Sequence, residues 1–299
     1  MALPRLMVCK NRHEVENSQT LKPTAWRILA IMNANTNSKV ALVTGATGAI
    51  GFAIANLIAV RPGFELVLLC RDEAKAKLAV GAIQAATGNR WVSYARVDLS
   101  RQASINAFAS AWDRPVHVLV NNAAIAPPSR EETPEGIEMQ FATNVLGYYW
   151  LTKALEDRLI QAESARVVNV ASYWAGDLDL SDLEFKRRRY DQHQAYRQSK
   201  QANRMLTVVF AERLQAHGIT VNACHSGDVN STLSNALGFG GHETPEKGAK
   251  TPVRLATAAE MEGVTGKYFE QCKEVRCPFA KDRGQIAALD EACQRYRLA

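Results

Sequence analysis

The chain has no CxxC pair, no paired histidines at metal-ligand spacing and no apolar run near the roughly eighteen residues of a membrane span. Its six cysteines, Cys9, Cys70, Cys224, Cys272, Cys277 and Cys293, are scattered. That usage excludes a disulfide framework and suits reduced thiols in a reducing compartment. Cys272 and Cys277 are close enough in sequence for a disulfide or half a metal site, but no second pair completes a zinc set, so no metal is expected. Charge of one sign is in only modest excess, at +6 with a pI near 9.0. The one dense basic run, Lys186 to Arg189, has Tyr190 beside it and no wider aromatic pattern, which makes it a solvated loop rather than a nucleic-acid face.

What is present is a large core. At 299 residues, with 47% apolar and 22% charged, the chain reads as a single domain with extensions at both ends. Residues 1–38 form a partly disordered N-terminal extension on this reading, ending in the turn-prone Asn33 to Ser38. Glu14 and Glu16 oppose a transit peptide, so a cytoplasmic location is expected, with organelle targeting by this extension as the alternative.

From residue 39 onward short β-branched runs alternate with helical patterns. Lys39 to Thr44, Glu65 to Cys70, Trp91 to Val97, Val116 to Val120, Val167 to Ala171 and Thr220 to Ala223 are the strand candidates. Each is continuously apolar, as strands buried on both faces are. The rhythm predicts an α/β fold: a Rossmann-type, doubly wound parallel sheet with helices on both faces. Thr133-Pro134 is expected to open one long helix, with a threonine cap and a proline in the first turn. Ile137, Phe141, Val145, Leu146 and Tyr149 would be its buried stripe.

The first strand runs into Thr44-Gly-Ala-Thr-Gly-Ala-Ile-Gly51. Gly45, Gly48 and Gly51 at a strand-to-helix junction allow close approach of a pyrophosphate and aim a helix N-terminus at it. Thr47, Ala49 and Ile50 fill the same turn. An acidic residue ending the second strand would select NAD; Cys70-Arg71 instead offers a guanidinium for a 2′-phosphate, so NADP (NADPH) is favoured. Asp98 and Leu99 follow the third strand, where a carboxylate could accept from adenine. Asn122, Ala123 and Ala124 follow the fourth and bring small side chains toward the cofactor.

Tyr196 and Lys200 are one helical turn apart and share a face. A nearby ammonium is expected to hold the phenol below its ordinary value of about 10, making it a usable acid or base. Tyr149 and Lys153 repeat the spacing, but Tyr149 belongs to a buried stripe and reads as core.

With these residues in this order, the chain resembles the short-chain dehydrogenase/reductase family over residues 39–270. Leu69 to Asp72, Pro134 to Asn144 and Tyr196 to Asn203 resemble its retinol-dehydrogenase-like branch in particular. The resemblance implies hydride transfer between a nicotinamide and a lipophilic carbonyl or alcohol that is retinoid-, steroid-, aldehyde- or ketone-like. Tyr196 would be the acid/base, Ser172 the partner of the substrate oxygen, Lys200 the ribose-bound cation and Asn144 the holder of a relay water. Gly227, Val229 and Ser231 would lie over the nicotinamide. The chain departs from the family at Ala49, at Ala124 and at Ser226, where a proline usually precedes the glycine.

Tyr173, Trp174, His193 and a lid over Asn230 to Glu246, with Leu233, Leu237 and Phe239, are expected to line the substrate cleft. The segment 271–299 reads as a C-terminal helical extension that could cover the cleft, support a homodimer or cap the core. Two other readings carry different expectations. A catalytically silent dinucleotide scaffold would be expected to lack Ser172, Tyr196 or Lys200. An epimerase-like extended member, hinted at by the glycine spacing, would need a larger C-terminal domain.

Overall fold

A computed structural model describes residues 38–296. The expectations for residues 1–37 lie outside the described residues. Strands β1 (Lys39–Thr44), β2 (Phe64–Cys70), β3 (Val92–Arg96), β4 (Val118–Asn121), β5 (Arg166–Val170), β6 (Thr220–Cys224) and β7 (Tyr268–Glu270) are parallel. β8 (Lys273–Val275) closes the sheet antiparallel to β7. The order β3-β2-β1-β4-β5-β6-β7-β8 reverses direction between β1 and β4. In open α/β sheets ligands bind beside such a switch point, outside the carboxyl ends of the strands. The Rossmann-type parallel sheet expected from the sequence is therefore what the chain forms.

Helices α1 (Ala49–Ala59), α2 (Glu73–Thr87) and α3 (Gln102–Ala111) follow the first three strands. After β4 come α4 (Gly147–Ala154) and α5 (Glu156–Ile160); β5 leads to α6 (Gln192–Leu214), and β6 to α7 (Thr232–Ala236) and α8 (Pro245–Thr257). The last is α9 (Arg283–Arg295). Apolar side chains alternate in direction along each strand and feed a core on either side of the sheet. One core takes Leu42, Val67, Leu119 and Val167 with α4, α6 and α9; the other takes Ala41, Leu66, Val118 and Val168 with α1, α2 and α8. From α9, Ile286, Leu289 and Cys293 enter the first core. The division expected after residue 270 falls inside the β7–β8 hairpin.

The long helix expected from Thr133 starts later. Residues 132–138 form a folded-back turn, with a bridge between Glu132 and Glu138 and Gly136 at φ 79°. Thr133 Oγ1 accepts from the N–H groups of Glu135 and Ile137, so it closes this turn instead of capping a helix. The cap is Glu138. Its buried carboxylate accepts from Gln140 N at 2.9 Å and Phe141 N at 2.6 Å. The first turns are then a π-helix, Phe141–Leu146, before α4 begins. The expected stripe of Ile137, Phe141, Val145, Leu146 and Tyr149 is nonetheless buried.

Hairpin geometry sets the far edge of the sheet. Gln271 and Cys272 both hold positive φ, 47° and 63°, in a two-residue connection. Cys272 N–H donates to Thr251 Oγ1 and Arg254 donates to the Cys272 carbonyl, so α8 holds the turn in place.

Candidate active site

Continuous apolar strands end together, so their C-terminal residues converge on one rim of the sheet. Thr44, at the end of β1, organises it. Its hydroxyl accepts from Asn122 N at 2.8 Å and Ala123 N at 3.0 Å, and its carbonyl accepts from Asn122 Nδ2. Thereby Gly45 to Gly51 and Asn122 to Ala124, far apart in sequence, become neighbours. Gly45 is at φ 64°, and a methyl there would lie 2.8 Å from Ala123 Cα. A methyl on Gly51 would lie 2.3 Å from the Gly45 carbonyl oxygen. Gly48 caps α1 without a side-chain bond, and the first turn carries no acid. A helix start with uncommitted N–H groups and no competing carboxylate can hold an anion such as a pyrophosphate.

Thr47, Ala49 and Ile50 occupy this junction, beside the buried Cys70 at the tip of β2. Arg71 follows, exposed, while Asp72 spends its side chain capping α2 through Lys75 N. Asp98 commits Oδ1 to Ser100, through both its N–H and its hydroxyl. Leu99 is buried, and its carbonyl lies against Gly147, where a methyl would sit 2.8 Å away.

Beside the switch point, β5 runs into Ser172 and α6 supplies Tyr196 and Lys200. Ser172 Oγ accepts from Trp174 N at 3.1 Å, and Ser172 and Tyr196 line the same cavity, where the serine hydroxyl opposes the upward shift of the phenol. Lys200 is 1% exposed, donates to the Val170 carbonyl at 2.9 Å and sits 5.5 Å from the centre of the Tyr196 ring. Its ammonium does not depress the phenol, contrary to expectation. Burial pushes Tyr196 up to about 12, opposed by the Ser172 hydroxyl, and burial pushes Lys200 down to about 7. An amine that sheds its proton near neutrality, and that faces a carbonyl, is a weak source of field for the phenol.

Asn144 lies within the π-helix, a distortion that recurs at functional sites. Its Oδ1 accepts from Ile125 N, and its Nδ2 donates to Ile125 O at 2.9 Å and to Ser199 Oγ at 3.3 Å. The amide thus ties the loop after β4 to the residue preceding Lys200. The decoy Tyr149 is 2% exposed and donates to Asp290 on α9, well inside the core.

A cavity of about 120 Å³ opens above Ser172 and Tyr196. Tyr173, Trp174, Leu233, Leu237 and Phe239 line it, with Ile50, Gly227, Val229 and Ser231 on the side of the glycine turn. Trp174 meets Phe239 edge-on at 4.7 Å and His193 at 5.6 Å. Ser231 caps the short lid helix α7. A larger cavity, about 480 Å³, lies between residues 180–187 and the end of α9, away from this chemistry. Sequence reasoning missed Arg204 and Tyr148 as neighbours of the site, and took His225 only as the start of the motif that runs to Val229. His225 packs edge-on to Tyr173 at 4.7 Å, and burial lowers it to about 4. Arg204 alone left a signal, as the next step of the Tyr196–Lys200 spacing.

Fold and rim together define a nicotinamide-dependent oxidoreductase of the short-chain dehydrogenase class. The family profile described as short chain dehydrogenase matches residues 39–238, and the chain belongs to that family. Within it, the chain falls in the retinol-dehydrogenase-like branch. It is 36% identical over 256 residues to Retinol dehydrogenase 13 of Mus musculus, covering 79% of this chain and 76% of that one. It is 38% identical over 257 residues to a "Probable oxidoreductase" of Streptomyces antibioticus, covering 79% and 86%. A crystal structure of an uncharacterized protein from Mycobacterium paratuberculosis superposes with a TM-score of 0.72 at 29% identity, covering 86% of this chain and 92% of that one. Membership makes the chain a hydride-transfer enzyme working with NAD(P) on a small molecule. Among the described residues, no helix is long and apolar enough to cross a membrane.

Proposed function

We propose that the chain is an NADP(H)-dependent reductase of lipophilic carbonyls, with Tyr196 as the proton donor. The observation that carries this reading is the Tyr196–Ser172 hydroxyl pair on the floor of an aromatic and aliphatic cavity, with Lys200 buried beside it. The bound nicotinamide supplies the hydride; the protein supplies orientation and electrostatics.

Ser172 accepts from Trp174 N, which leaves its own O–H free to point at a substrate oxygen or at Tyr196. A phenol pushed up to about 12 stays protonated across the physiological range, and so stands ready to give a proton to an alkoxide as charge develops on it. Lys200, near 7, can replace that proton, and it is the residue that would hold a ribose hydroxyl of the cofactor. Asn144's amide is committed to Ile125 and Ser199, so a relay water would sit on another of its atoms. The phosphate-binding part is assigned to Gly45, Thr47, Gly48, Ala49, Ile50 and Gly51, and the adenosine part to Arg71, Asp98, Leu99 and Asn122 to Ala124. Gly227, Val229 and Ser231 take the nicotinamide side. NADP is preferred because Arg71 is exposed and free of the helix cap that occupies Asp72.

Carbonyl reduction is tested by following NADPH absorbance with nonanal, 4-nitrobenzaldehyde and all-trans-retinal. NADPH is expected to raise the melting temperature more than NADH does. Tyr196→Phe is expected to retain that shift while losing about 10²–10⁴-fold in turnover. Turnover in Tyr196→Phe equal to wild type removes Tyr196 from the mechanism, and an equal or larger shift with NADH removes the NADP preference.

A further inference from the structure

Arg204 is the next residue on the Tyr196–Lys200 face of α6, one turn beyond the lysine. Its side chain is 5% exposed, and a guanidinium does not escape burial by losing its proton. One terminal nitrogen donates to the backbone carbonyl of Ser172 and, at 2.6 Å, to the Tyr268 phenol oxygen. The Glu270 carboxylate lies 3.9 Å from the same nitrogen. The guanidinium carbon stacks 3.6 Å from the centre of the Tyr268 ring and 5.6 Å from that of Phe279. A buried cation is expensive unless paired and hydrogen-bonded, and here its contacts join the Ser172 peptide to Tyr268, Glu270 and Phe279. Ser172 Oγ also accepts from Trp174 N, so holding the peptide at residue 172 helps to place that oxygen.

We propose that Arg204 is a positioning residue for Ser172, clamping its carbonyl from behind and tying the Ser172–Trp174 turn to β7 and the Phe279 segment. The proposal rests on the reading of Ser172 and Tyr196 as the reacting pair. It assigns to the C-terminal part of the chain a place in setting the geometry of the catalytic hydroxyls. Arg204 touches neither substrate nor cofactor; it acts through the Ser172 peptide.

The test compares full-length wild type with Arg204→Met, Arg204→Lys and Tyr268→Phe in two readouts. One is amide hydrogen exchange over residues 171–176. The other is steady-state reduction of 4-nitrobenzaldehyde with NADPH. Arg204→Met is expected to speed exchange at the Trp174 amide. It should also lower kcat by about 10²-fold, the scale of a misplaced catalytic group, with KM moved by less than about threefold. Arg204→Lys, which retains a cation able to reach one carbonyl, is expected to recover most of the loss. Exchange at Trp174 unchanged in Arg204→Met overturns the clamp. So does a variant with faster exchange but wild-type kcat. Should Arg204→Met fail to fold, Tyr268→Phe decides, because it removes only the hydroxyl that backs the guanidinium. A smaller change in the same direction supports the proposal, and no change in either readout overturns it. Wild-type protein that reduces no aldehyde counts against the reductase reading, while the exchange comparison still decides on the clamp.

Discussion

Lys200 and Tyr196 were recognisable from their spacing, yet their protonation was not. Side-chain spacing says which groups share a helix face; the direction of a pKa shift depends on how much protein closes over them. Here Val170 and Tyr148 close over Lys200, and Ala126, Trp174 and Leu237 over Tyr196, and Lys200 falls to about 7 while Tyr196 rises to about 12. The linkage consequence has a definite sign. Between about 7 and the ordinary lysine value of 10.5, the unfolded chain binds a proton at Lys200 that the folded chain does not. The contribution of Lys200 to stability therefore improves as pH rises through that window. Lys200→Met is expected to stabilise the protein at pH 7 and to gain much less at pH 10, measured by urea unfolding without cofactor. An equal change at both pH values would mean that the lysine is not desolvated as described. The spacing puts Arg204 on the face of Tyr196 and Lys200, but its contacts were illegible for the same reason: nothing local in the sequence says that β7 and its following segment come to rest behind Ser172.

At the scale of elements, the sequence spoke clearly where the signal was contiguous. The strands and the glycine turn are written in neighbouring residues. The entry to α4 is not. Thr133-Pro134 has the composition of a helix start, but Gly136 at positive φ and the side chain of Thr133 close a turn there, and the buried carboxylate of Glu138 supplies the true cap. A capping carboxylate three residues before Phe141 is a recognisable signal, but a π-helix leaves no mark in apolar periodicity over so short a run. The hairpin between β7 and β8 gives the prediction at this scale. Cys272 holds left-handed backbone that costs a residue with a side chain roughly 1–2 kcal/mol, against roughly 0.5–1 kcal/mol of added flexibility for glycine. Cys272→Gly is thus expected to raise the unfolding free energy by up to about 1 kcal/mol, seen as a slightly higher midpoint in calorimetry. A lowered midpoint would mean that contact between the thiol and Thr251 outweighs the backbone strain.

For the whole molecule, the C-terminal helix is part of the main core. Leu289 is fully buried beside Tyr149 and Phe210 in the core that also underlies α6, the helix of Tyr196 and Lys200. Leu289→Ala is expected to cost about 2–5 kcal/mol of stability. Loss of under about 0.5 kcal/mol, the range of surface positions, would contradict that packing. The sequence showed this helix by its periodicity and left three uses open for it; a surface to pack on lies in α6, some seventy residues earlier, and cannot be read from α9 itself. The sheet's last strand adds a consequence of a different sort. All three residues of β8 are exposed, Lys273 and Glu274 are charged, and Glu274 pairs with Lys267. A strand that short and that charged offers a poor template to the sheet of another copy, and the tight turn before it bends the chain back. The same hairpin that sets the ground behind Ser172 thereby also discourages ribbon growth, so crowding or partial unfolding is less able to turn this edge into the seed of an aggregate.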